Sequence, residues 1–303
     1  MEKQGLLPLL AVLGGAAALL LRVWQNATGF EPDTGLPIPG APAGTVLTVF
    51  LLVMAVLLFL LVRRLPKETE NAPLLPRDFA TEDTRLLALP VAGVLLIALS
   101  GLADLYEGLG LGNLLAQFLS AADPEAAMAV LTADGFSPTT QKLLGVLSLL
   151  SAAALFPVIT ACRKKDGETA PFQGAPLLLI PPVALVVRLV LAYRLDSVNP
   201  VLQAYYVELL ALVFLTLGFY RLSSYAFQAG RTRLFAFYAC ASVVLCCASL
   251  PDCAPHLSSL LLNLGGALIL LGFLLLRLAV PAAAVPSVTE DNAGMPPEDS
   301  SPS

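Results

Sequence analysis

Apolar residues fall along this chain in long, nearly unbroken blocks, not in the alternating or three-to-four spacing of a half-buried strand or helix. Eight blocks reach membrane length: 5–23, 44–62, 86–103, 143–161, 176–193, 201–219, 234–250 and 257–276. As helices rising 1.5 Å per residue, such blocks cover roughly 25–30 Å, the thickness of bilayer hydrocarbon. The backbone finds no water there, so each block must satisfy its own polar groups as an α-helix. The pattern therefore predicts an all-α integral membrane protein: a bundle of eight transmembrane helices in a single polytopic domain over residues 1–280.

The first block could also be the apolar core of a signal peptide. Its run is long for that role, "MEKQ" is barely basic, and no small-residue cleavage site follows, so a retained anchor is expected. The stretch 26–44, rich in Pro and Gly, reads as a loop, and "NAT" at 26–28 matches a glycosylation acceptor. In the connection 104–142, residues 111–122 and 123–135 read as short interfacial helices, the second opened by Asp123 and Pro124. The segment 63–85 reads as a solvated linker, and the Pro-, Ser- and acid-rich tail 281–303 as disordered.

Composition agrees with a bilayer environment. The chain is 57% hydrophobic and 13% charged, with mean hydropathy +0.81; soluble domains carry about 25% charged residues. A net charge of −5 without a basic stripe excludes nucleic acid as a partner. Five cysteines form no CxxC pair, and His256 is the single histidine, so neither a zinc site nor another metal site is expected, and the thiols read as small packing groups.

Orientation follows from Lys and Arg, which favour the cytoplasmic side. With the N-terminus inside, 13 of the 17 fall in inner segments, and Arg22, Lys142 and Arg194 in outer ones. The even span count then places the C-terminus inside as well, in the cell membrane. The outer segments sum to −6 and the inner to +1; an acidic outer face attracts cations modestly, although positive-inside sorting alone produces it.

Apart from Arg22 at the end of the first block, two charges lie within spans. Arg at mid-bilayer costs about 2.5–3.5 kcal/mol on insertion scales, so Arg188 needs a partner. Arg188 and Glu208 sit at depths matching within ~3 Å on consecutive helices joined by the short "RLDSVNP" turn. Ala184 and Ala192 flank one, Ala204 and Ala211 the other, at the spacing that lets helices approach. The expectation is an Arg188–Glu208 ion pair, either clamping two helices or lining an outward cavity, beside Pro181 and Pro182, which should kink the helix or leave carbonyls free nearby. Asn263, on a small-residue face, is expected to hydrogen-bond between helices, and Tyr205, one turn above Glu208, to reach a cavity mouth.

No catalytic motif is found: there is no HExxH, GxSxG, Walker loop or Asp-rich repeat, and no cofactor is implied. An enzyme is not expected. Two functions remain. One is a scaffold, sensor or accessory subunit that contacts a protein partner through 63–85 and 163–173. The alternative is a small-solute or ion permease built on Arg188 and Glu208. Four spans lie on each side of the 163–173 loop, which suggests a duplicated unit of four helices.

Overall fold

The computed structural model describes residues 5–31, 36–65, 75–111, 137–163, 174–196, 201–254 and 256–279. They form eight long helices: α1 (Leu6–Thr28), α2 (Pro42–Arg63), α3 (Thr84–Gly108), α4 (Pro138–Ala161), α5 (Ile180–Asp196), α6 (Leu202–Ser224), α7 (Thr232–Cys253) and α8 (Leu257–Ala279). With the 3-10 turn that precedes α5, eight segments are long and apolar enough to cross a membrane, and the chain is a multi-pass membrane protein. The expected interfacial helices at 111–122, but for Leu111, and at 123–135, most of the 163–173 loop and the 281–303 tail lie outside the described residues.

Helix starts follow local chemistry. Asp83 caps α3 by accepting from the Arg85 amide, and Ser137 caps α4 by accepting from Thr140. Pro42 and Pro138 occupy first-turn positions, where a missing N–H leaves nothing unsatisfied. The same principle corrects the kink expected at Pro181 and Pro182. Ala175–Leu179 is a 3-10 turn and α5 begins at Ile180, so the two prolines open the helix instead of bending it.

Several helices outrun their apolar blocks because polar residues at their ends are used inside the bundle. α1 runs on to Thr28, which puts "NAT" in its last turn instead of a loop.

Helices α3, α4, α5, α6 and α8 form a ring, each packed on the next and α8 closing against α3. Outside the ring α7 lies on α6 and α8, and the α1–α2 hairpin lies on α7. Two of the crossings are glycine to glycine. A Cβ on Gly93 would lie 2.6 Å from the Gly265 carbonyl oxygen, and one on Gly101 2.9 Å from that of Gly145, so α3 meets both α8 and α4 backbone to backbone.

The expectation of a solvated linker over 63–85 is corrected for its described part. Leu75, Phe79 and Ala80 are buried, and the Phe79 ring packs edge-on against Tyr225, Phe235 and Phe273 at 4.9, 6.4 and 5.9 Å. Burial of so large an aromatic outweighs the polarity of its neighbours in sequence. The Leu75 amide donates to the Tyr225 carbonyl, and Thr81 bridges to Arg163, so this segment covers the end of the bundle where α6, α7 and α8 meet.

Candidate functional site

Among the described residues two arginines are buried, and each meets an aspartate far away in sequence. Arg188 on α5 donates from Nη1 to Asp104 Oδ2 on α3 at 2.8 Å, and from Nη2 to the hydroxyls of Ser258 and Ser259 on α8 at 3.3 and 3.2 Å. Asp104 is 1% exposed and Arg188 3%. Ser100 on α3 completes the knot by donating to the Ser258 carbonyl at 2.7 Å. The carboxylate that Arg188 finds is therefore Asp104, not Glu208. Matching depth selected a partner on the neighbouring helix, but Arg188 faces the ring interior, and its long flexible stem reaches across to α3.

Glu208 has not been displaced far. It is half-buried on α6 and lines the same recess as Arg188, with Asp104, Glu107, Gln141, Ala192, Leu195, Leu212, His256, Ser258, Ser259, Leu262 and Asn263. Glu107 and His256 are exposed at the mouth, while Asp104, Arg188, Ser258 and Asn263 form the buried floor. Gln141 on α4 donates to Glu107 at 3.0 Å across the rim. The recess leaves about 70 Å³ for the centres of water-sized molecules, and a single water needs roughly 10–15 Å³. There is room for a few waters or one small solute. A narrower apolar pocket continues beyond the floor, sharing Arg188 and Leu262 and adding Ser148, Ser151, Pro181 and Phe219.

Asn263 is 1% exposed and does bond between helices: its Nδ2 reaches Ser249 Oγ at 3.4 Å and Cys253 Sγ at 3.1 Å, both on α7. Its Oδ1 has no hydrogen-bond partner among the described residues. Tyr205 is not among the described residues that line the recess. Its neighbour Tyr206 turns the other way, to the Thr48 hydroxyl on α2 (3.4 Å) and the Arg22 guanidinium, 5.8 Å from its ring centre.

The other buried arginine, Arg22, closes the first apolar block, where the charge pattern counts it with the outer face. Its Nε donates to both carboxylate oxygens of Asp252 on α7 (3.0 and 2.9 Å), and its Nη1 donates to Gln25 Oε1 at 2.8 Å. Asn26 Nδ2 donates to Asp252 Oδ1 at 2.9 Å, so the side chain of the "NAT" motif belongs to this cluster. A signal was present: Arg22, Gln25 and Asn26 lie three and four apart, on one face of a helix extended by a turn.

The two ion pairs join the first helix of each quartet to the third of the other, α1 to α7 and α5 to α3. Packing does not repeat this exchange: α3 lies against α8, whereas α7 lies against α1, α6 and α8. The ion pairs are arranged alike in the two quartets, and the helix contacts between the quartets are not.

Among the described residues no group of three or more His, Cys, Asp or Glu is placed to hold a metal ion. Comparisons with protein-family models, curated proteins and solved structures find no match.

Proposed function

We propose that the chain is a small-solute permease of the cell membrane, with the recess between α3, α4, α5, α6 and α8 as its solute site. The observation that carries this reading is the recess itself: a polar floor of buried, mutually bonded groups inside a helix ring, with a second pocket continuing past it. Intramembrane ionisable groups are expensive, and a polar cavity in the bundle interior is where transport sites are built. With the orientation given by the Lys and Arg bias, the mouth at Glu107 and His256 opens outside, and Phe79 with its aromatic neighbours closes the inner end.

The test is access. A Glu208→Cys variant, in a background lacking native cysteines, is treated in intact cells with a charged, membrane-impermeant thiol reagent. Reaction from outside is expected. Lack of reaction, in protein that labels fully once denatured, would remove the permease and leave a scaffold or accessory subunit as the better reading.

A further inference from the structure

We propose that the inner end of the bundle binds an anionic glycerophospholipid where α2, α6 and α7 meet, with Arg221 holding the phosphate and Arg63 on the opposite rim. The recess plays no part in this site, which stands independently of the permease reading.

The shape comes from how three helices pack. α2 and α6 both lie on α7 and pack little on each other. Their outer ends are joined by the Thr48 and Tyr206 hydroxyls at 3.4 Å. Toward the inner ends, rings of α7 fill the interval instead. Phe237 meets Phe59 of α2 at 6.2 Å and Phe214 of α6 at 6.4 Å, and Tyr238 lies 5.5 Å from Phe237. Phe214, Phe237 and Tyr238 are half-buried, and Phe59 is exposed. Together they make an apolar floor open to acyl chains, below the last turns of α2 and α6.

Charge decides what lies on that floor. Each of those last turns carries an arginine. The Arg63 guanidinium lies 5.5 Å from the Phe59 ring centre, and that of Arg221 lies 5.5 and 5.8 Å from Tyr220 and Tyr238. Aromatic faces hold a guanidinium in place without cancelling its charge. Arg22 and Arg188 each meet an aspartate, whereas Arg63 and Arg221 meet no carboxylate among the described residues. Arg221 is nonetheless half-buried, and its Nε finds no acceptor among those residues. A partly desolvated cation calls for an anion. The rings between the two arginines are apolar and lie within membrane spans, so the anion that fits is one attached to acyl chains. A phosphate matches the planar fork of a guanidinium. The Lys and Arg bias turns this end toward the cytoplasmic leaflet, where anionic lipids concentrate and basic pockets between helices bind their headgroups.

The experiment uses purified full-length protein in a neutral detergent. Thermal unfolding is followed with rising mole fractions of dioleoylphosphatidylglycerol or dioleoylphosphatidylcholine, and separately with glycerol 3-phosphate. The expected result is a midpoint that rises saturably with phosphatidylglycerol above its value in phosphatidylcholine, as binding to the native state requires. Glycerol 3-phosphate should leave it unchanged. Arg221→Gln and Arg63→Gln should each raise the mole fraction for half the shift by about fivefold, the worth of one basic side chain at an anionic surface. Arg85→Gln makes the same charge change at the same end, on α3, which packs against α4 and α8, and should have no effect. The shift is read within each variant, so a general loss of stability cancels. Arg63 is exposed, so Arg63→Gln carries the test if Arg221→Gln does not fold. Equal midpoints in the two lipids would overturn the inference, as would an undiminished response in the folded wedge variants. An equal loss in Arg85→Gln would reduce it to general attraction of a basic surface, and a full shift with glycerol 3-phosphate would make the ligand a soluble anion; either result overturns the lipid site.

Discussion

Arg22 and Asp252 stand 230 positions apart in sequence and 2.9 Å apart in the structure, and they tie the first helix to the seventh. Breaking a buried pair leaves one charge without compensation, which costs about 3–5 kcal/mol, whereas replacing both partners with apolar groups is often close to neutral. Arg22→Met alone and Asp252→Leu alone should each lower the unfolding midpoint sharply. The double variant should recover most of the loss, read by thermal unfolding of the detergent-purified protein. Additive losses would mean that the two side chains do not act as a pair.

A parallel comparison separates the two carboxylates near Arg188. Asp104→Asn strips the partner from a guanidinium that is 3% exposed and should destabilise by about 3–5 kcal/mol. Glu208→Gln, at a half-buried position that does not partner Arg188, should cost clearly less. Equal losses, or the reverse order in the same unfolding assay, would restore Glu208 as the structural partner.

The glycine crossings predict steric failure at defined places. A Cβ on Gly265 would sit 2.8 Å from the Gly93 carbonyl oxygen, an atom that cannot rotate away. Gly265→Ala should push α3 and α8 apart and lower the midpoint by several degrees. Gly5→Ala, which meets nothing within 4 Å, should leave it unchanged.

Thiol labelling gives an independent readout of packing. Burial pushes the Cys162 thiol up to about 12, so fewer than about one in ten thousand would be ionised near neutral pH. The sign follows from burial penalising the thiolate: reactivity stays negligible until the pH approaches that value. Cys162, Cys240, Cys246 and Cys253 are all buried, and Cys247 is half-buried. At pH 7.5 a maleimide should label folded protein only at Cys247, and all five cysteines after denaturation in SDS. Rapid labelling of Cys162 in the folded state would contradict the packing at the end of α4.

Membrane class and span number were legible in the sequence because they depend on local quantities. Nearly twenty apolar residues in a row can cross hydrocarbon only as a helix, and that requirement needs no knowledge of neighbours. Arg188 announced itself for the same reason, as a charge whose insertion is expensive anywhere in a bilayer. Its partner did not. Depth along a helix can be counted from sequence, but the rotation of α5 within the ring sets which neighbour its guanidinium meets. That rotation comes from many weak contacts, among them the glycine crossings that draw α3 between α4 and α8. The same holds for Phe79, a lone aromatic in a charged segment, and for Arg22, one residue before a block ends. Pattern assigned Phe79 to a linker and Arg22 to the outer end of a span, and packing buried both completely. The sequence by itself determined which segments are long and apolar enough to cross and which residues the crossing makes costly. Only the tertiary structure decided how those residues are compensated, because compensation is a contact between positions that 84 or 230 residues of chain separate.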